Sequence, residues 1–153
     1  MSERGATRLE AASPRAIEWT AEAITQGNVV ALPTDTVYGI AASLAHPEAL
    51  DRIFAVKGRE TTKVLPVLVA SAAALRHIVP PLDREVILLL DTYWPGPLTL
   101  AVPALPGMPP QVVAKDGTVG VRVPNHPLAI EVIEKAGGIP GSAGTARVRG
   151  PGQ

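Results

Sequence analysis

Three short segments place polar side chains where folding alone does not ask for them. The most charged is Lys57 to Lys63, KGRETTK, with three cations in seven residues. Lys57 and Arg59 alternate about Gly58, so in extended backbone both would point to one side. Two cations aimed at one spot repel each other unless an anion lies between them. A guanidinium fork suits phosphate or carboxylate, and an ammonium adds a point charge. The same residues can instead close a helix, with Lys57 at its negative end and the rest a solvated charge run.

Pro33 to Gly39, PTDTVYG, follows a Val-rich run. Loops at strand ends are favoured ligand sites, and the hydroxyls of Thr34, Thr36 and Tyr38 can bond a small polar ligand. A tight turn with Thr34 and Asp35 bonded to local backbone is the alternative. The third segment, GTVGVRVPNH, runs from Gly117 to His126. In a strand, Arg122 shares a face with Thr118, Gly120 and Pro124, so small neighbours leave room for a ligand against the guanidinium. The alternative is an exposed sheet face carrying one Arg. His126 reads as a helix cap or structural hydrogen-bonder, and His46 and His77 carry no assignment.

Other chemistries lack their parts. There is no GxxxxGK[ST] or GxGxxG phosphate loop, no HExxH or other His pair at ligand spacing, and no GxSxG elbow. The sequence has no cysteine, which excludes disulfides, Cys–zinc sites and thiol nucleophiles. ATP, if bound, is bound without a Walker loop.

Elements must hold these segments in place. The chain has 153 residues, a length that suits one domain, and 46% of them are apolar. Aromatics are only 3%, so the core is aliphatic; 14 Gly and 16 Pro imply many turns and no long coiled coil. Fourteen acids balance fourteen bases, so no global charge attracts nucleic acid, although a local basic cavity remains open. The polar N-terminus has no apolar signal-peptide core, and no apolar run approaches the ~18 residues of a membrane span. A soluble, cytoplasmic protein without membrane association is expected.

Ser13-Pro14 reads as the start of a helix to about Gln26, stopped by Gly27. NVVAL and Val37 to Leu44 read as strands, and Pro47 opens a helix to Lys57. LPVLVA is a buried strand, AAALRHI a short helix capped by Ser71, and Leu82 to Tyr93 a further helix. Leu98 to Val102 and Thr118 to Val123 read as strands, and Pro127 starts a helix to about Ala136. Strands and helices mix without strict alternation, so the class is α/β, or mixed α+β. Residues 1–12 are a flexible start, 13–138 the folded domain, and 139–153 a divergent, disordered tail.

PTDTVYG after a Val-rich strand, KGR after an IF-containing helix, LPVLVA, YWPGPLTL and GTVGVRVPNHP occur in this order. Together they resemble the YrdC-like threonylcarbamoyl-adenylate synthase family over about residues 17–138. The resemblance implies a twisted mixed sheet flanked by helices around a positively charged concave cavity. It implies a nucleotidyltransferase making threonylcarbamoyl-adenylate from L-threonine, bicarbonate and ATP, with release of pyrophosphate. That product feeds t6A modification at position 37 of tRNA through a separate transfer complex, and double-stranded RNA binding is attributed to family members.

By the same resemblance, Thr36, Tyr38 and Arg122 hold threonine. Lys57 and Arg59 match the family's K-x-R pair, the candidate catalytic cations facing the phosphates. Lys63 and Thr118 join them on ATP, with Val64 in place of a family Pro after Lys63. ATP is a substrate, expected with Mg²⁺ rather than with a protein-bound metal. The cations would screen the repulsion between carbamate and α-phosphate and steady departing pyrophosphate, with no protein nucleophile.

After Gly138 the pattern departs. The family continues with a Ser-Ala-Asn motif in the nucleotide site; here Ser142-Ala143 is followed by Gly144, in a Gly/Arg/Pro-rich stretch. A truncated or out-of-frame C-terminus is expected. The alternative function is a catalytically impaired nucleotide- or double-stranded-RNA-binding module of the same fold. A paralogue with another adenylation or carbamoyl-transfer role is a weaker option.

Overall fold

Short runs rich in Val, Ala and Leu, bounded by Pro and Gly, build a sheet of short strands. The computed structural model describes residues 13–33, 39–57, 64–137 and 144–149; at 14, 56, 57 and 144–149 it describes the backbone alone. In chain order these form α1 (Pro14–Thr25), β1 (Val30–Leu32), β2 (Gly39–Ser43), α2 (Pro47–Lys57) and β3 (Val67–Val69). A 3₁₀ helix (Ala72–His77), α3 (Arg84–Tyr93), β4 (Leu100–Pro103), β5 (Thr118–Arg122), α4 (Pro127–Ala136) and β6 (Gly144–Arg149) follow.

The sheet order is β1-β2-β6-β3-β5-β4. Only β3 and β5 run parallel, with Leu68 beside Arg122; the other pairs are antiparallel. The mixed, helix-flanked sheet is the expected class. Its two faces separate cleanly by strand alternation. Ala42, Val67, Val69, Val119 and Val121 face α2, burying Leu50, Ile53 and Phe54. Leu32 and Ala41 face the other way, against Ile17, Ala21 and Ile24 of α1 and Val132 and Ala136 of α4. Burying each Val, Leu or Ile side chain here contributes about 1.5–3 kcal/mol, which makes an aromatic-poor core sufficient.

β6 lies inside the segment that the sequence reading sets apart as a tail. Its register puts Thr145 between Ser43 of β2 and Leu68 of β3, and Arg147 opposite Ala41. Strands β2 and β3 each present ladder groups that need a partner, and the β6 backbone supplies it to both.

The α1 C-terminus is latched to the α2 N-terminus. Ser13 starts α1 by accepting from the Arg15 N–H at 3.2 Å. Gly27 ends the turn after it at φ +93°. There the Arg52 guanidinium donates to the Gly27 carbonyl. The His46 ring joins the Thr25 carbonyl (Nε2, 2.8 Å) to the Glu48 carboxylate (Nδ1, 3.1 Å). Backbone hydrogen bonding at Glu48, and then His46, hold that carboxyl below its usual range. His46 thus has a structural role that the sequence reading left unassigned. A Cβ at Gly27 would lie 3.0 Å from the His46 ring. Gly27→Ala is expected to cost about 1–2 kcal/mol, from the left-handed backbone and this contact. Urea denaturation measures it; an unchanged midpoint would show that the latch contributes nothing.

Candidate functional site

The topology gathers the candidate segments at one end of the sheet, except Arg122, which β5 carries to the other end. Leu32 pairs with Gly39, so the connection carrying Thr36 and Tyr38 joins β1 to β2 at that end. α2 packs back along β2 and ends at Lys57, and the connection carrying Arg59 and Lys63 leads from there toward β3. β3 and β5 are parallel, so Thr118, at the start of β5, belongs to the same end. Thr36, Tyr38, Arg59 and Lys63 lie outside the described residues, and Lys57 has its backbone alone described. The expected cationic cavity rests on these side chains, so it too lies outside the described residues.

Thr118 sits on a built turn. The Asp116 carboxylate accepts from the Thr118 backbone N–H at 3.1 Å and from its hydroxyl at 2.7 Å. Ala114 N–H donates to the Thr118 carbonyl, which closes the turn into β5. These bonds, the hydroxyl's first, hold the Asp116 carboxyl below the usual carboxylate range. The Thr118 hydroxyl proton is therefore committed, and toward a ligand the oxygen has lone pairs to offer. It can accept from an amine or a ribose hydroxyl.

Arg122 lies at the far end of β5, about 13 Å from Thr118 at 3.3 Å per residue. It is 4% exposed, so the alternative of an exposed sheet face does not hold. Val119 and Val121 face the core, which puts Thr118, Gly120 and Arg122 on the opposite side, as alternation requires. The room expected beside Gly120 is partly taken: a Cβ there would meet the Thr99 methyl at 3.3 Å.

The guanidinium is held by a segment whose role the sequence reading left open, WPGPL. Arg122 Nε donates to the Gly96 carbonyl at 2.6 Å. Gly96 N–H donates back to the Val123 carbonyl at 2.8 Å. Trp94 Nε1 donates to the Leu98 carbonyl at 2.8 Å, and Trp94 N–H to Leu90 at the end of α3. The Trp94–Pro95 bond is cis. One neutral carbonyl orients the planar fork by its inner nitrogen, a pose that leaves orientation, rather than neutralisation, as the task of this contact. The signal that could have found Gly96 was its place between two prolines, directly before an apolar strand.

His126 stands at the N-cap of α4, as read, but its side chain makes no capping bond. Its Nδ1 is buried and has no partner among the described residues. Beside this helix start, a depression of about 600 Å³ is lined by Pro95, Asn125, Glu131, Glu134 and Lys135. Two carboxylates against one ammonium make it a poor triphosphate site. Among the described residues no group of three His, Cys, Asp or Glu could hold a metal ion. None of their helices is long and apolar enough to cross a membrane.

The chain is 36% identical to the threonylcarbamoyl-AMP synthase of Bacillus subtilis over 135 residues, which are 88% of this chain and 39% of that one. It is 33% identical to that of Halorhodospira halophila, over 82% of this chain and 65% of that one. The chain therefore spans between two fifths and two thirds of the length of these relatives. Sua5 of Pyrococcus abyssi, solved in complex with L-threonine, superposes with a TM-score of 0.79 at 33% identity, over 93% of this chain and 39% of that one. A family model described as Telomere recombination, Sua5_yciO_yrdC, matches residues 22–148, a span that includes the WPGPL clamp, β5 and most of β6. With matching motifs, sheet and family model over most of its length, the chain belongs to the Sua5/YciO/YrdC family.

Proposed function

We propose that the chain carries the adenylate-forming domain of an L-threonylcarbamoyladenylate synthase. The observation that carries the reading is the buried Arg122, oriented by the Gly96 carbonyl on the same strand face as Thr118. The relatives named threonylcarbamoyl-AMP synthase, and the threonine complex of the Pyrococcus abyssi protein, support it.

In this reaction the threonine amine and bicarbonate form a carbamate with loss of one water, and a carbamate oxygen attacks the α-phosphorus of ATP. A carbon–oxygen–phosphorus link forms, the bond to the β-phosphate breaks, and pyrophosphate leaves. Thr36 and Tyr38 would hold threonine from the connection at the Thr118 end of the sheet, and the Arg122 fork, which suits its carboxylate, would approach along the β5 face from the other end. Lys57, Arg59 and Lys63 would line the phosphates, countering repulsion between carbamate and triphosphate. Thr118 would accept from the nucleotide, because its own proton is held by Asp116. Mg²⁺ would enter with the phosphates. Orientation of two bound substrates supplies much of the rate, and no protein nucleophile is required. The product would pass to a transfer complex acting on tRNA in the cytoplasm.

One feature favours a second reading, an impaired nucleotide- or double-stranded-RNA-binding module. Gly144, at the start of β6 beside Val69, follows Ser142-Ala143 where the family's motif has Asn. Pyrophosphate release with ATP, threonine and bicarbonate separates the two. Threonine-dependent release is expected. ATP or RNA binding without turnover would establish the module instead. Arg59→Ala is expected to weaken ATP binding about tenfold or more, the worth of one charge-assisted bond to phosphate. Unchanged ATP affinity in calorimetry would remove Arg59 from the site.

A further inference from the structure

Helix α3 buries one residue, Leu90, and exposes an apolar surface. Ile87, Leu88, Leu89 and Tyr93 are each between 42% and 55% exposed. Their exposed parts amount to about 400 Å², the size of the largest apolar patch on a typical soluble chain, which is often functional. Helical rotation spreads them into a ridge: Ile87 and Asp91 on one flank, Leu88 outermost, Leu89 and Tyr93 on the other.

Beside this ridge runs an apolar groove of about 520 Å³ between α3 and the 3₁₀ helix. Leu75, Val79 and Leu90 lie along it, and Ile87 and Asp91 form its α3 wall. Pro80 and Pro81 also line it, and they bring no N–H to be satisfied. Ridge and groove adjoin, which is what a two-fold contact requires: one patch that fits itself.

The charges point to the same occupant. Arg76 lies at the groove on the 3₁₀ helix and Asp91 on α3. Among the described residues, neither has an ion-pair partner within the chain. In a two-fold dimer, Arg76 of each copy can meet Asp91 of the other, so one complementary pair forms twice. A standard interface takes roughly 800 Å² from each partner, and the exposed α3 side chains supply about half of that before the groove walls are counted.

We propose that this face is a homodimer interface, in which Leu88 of each copy seats in the groove of the other and Arg76 pairs with Asp91 across the two-fold axis. The proposal does not depend on the catalytic reading, since neither Thr118 nor Arg122, the described candidates, lines this groove.

Sedimentation of the full chain over a concentration series tests it. A reversible dimer is expected, with Leu88→Asp weakening association at least about tenfold. Leu88 is exposed, so the variant should keep its fold by circular dichroism. Arg76→Glu and Asp91→Arg should each weaken the dimer several-fold, and the double reversal Arg76→Glu/Asp91→Arg should restore it. A monomer at every concentration, a dimer indifferent to Leu88→Asp, or a double reversal no tighter than the single variants would each overturn the proposal. If Leu88→Asp fails to fold, the charge-reversal set decides alone.

Discussion

Gly96→Ala is expected to lower stability by about 2–4 kcal/mol and to loosen Arg122 at the same time. The reason is local. A Cβ at Gly96 would lie 2.6 Å from the Tyr93 carbonyl oxygen, a backbone atom that no rotamer change can move aside. Relief requires displacing the backbone between α3 and β4. That backbone carries the Trp94 N–H bond to Leu90, the Trp94 ring bond to Leu98 and the Gly96 N–H bond to Val123. It also carries the carbonyl that orients Arg122. Overpacking alone costs about 1–3 kcal/mol, and weakening without breaking a bond to a buried charged donor adds about 1 kcal/mol. Urea denaturation gives the loss, and calorimetry with threonine gives the second effect, an affinity reduced with the fold still present. A wild-type midpoint would mean that the turn tolerates a side chain. A lowered midpoint with unchanged threonine affinity would separate the clamp from the substrate.

Much of this arrangement was legible in the sequence because local signals agreed with the tertiary ones. Ser13-Pro14 and Gly27 bracket α1, and Pro47 and Pro127 open α2 and α4 where Pro costs no hydrogen bond. Alternation about Val119 and Val121 put Thr118 and Arg122 on one face, and they are there. Long-range contacts were not legible. Arg122 reads as a choice between ligand site and exposed face, because its burial depends on a carbonyl 26 residues away. The strand after WPGPL begins at Leu100 rather than Leu98, since the Leu98 carbonyl is held in the turn by the Trp94 ring. AAALRHI tightens into a 3₁₀ helix, and its final Ile78 falls outside the helix. β6 was the hardest to see. Its Gly, Thr, Ala, Arg and Val residues have no apolar run, and only the register between β2 and β3 gives them a place. His46 was opaque for the same reason, since its partner carbonyl at Thr25 is 21 residues distant.

Arg122→Lys is expected to keep the charge and lose the function. Lysine has no inner nitrogen at the position of Nε, so the Gly96 carbonyl loses its donor and the cation loses the contact that fixes its orientation. A flexible ammonium can still neutralise a carboxylate, but it cannot present a planar fork. Threonine affinity should fall at least about tenfold, equivalent to 1.4 kcal/mol, with threonine-dependent pyrophosphate release falling further. Stability should fall by about 1–3 kcal/mol, the cost of leaving a buried acceptor unsatisfied. Arg122→Met provides the necessary contrast. It removes the charge as well, so it should match the lysine variant in lost orientation and exceed it in lost threonine binding. Were Arg122 purely structural, both variants would unfold more easily while the folded fraction bound threonine as wild type does. That result would leave the proposed threonine site resting on Thr36 and Tyr38. Equal, large losses of binding in both variants would instead show that geometry, rather than charge, is what the Gly96 carbonyl imposes on the site.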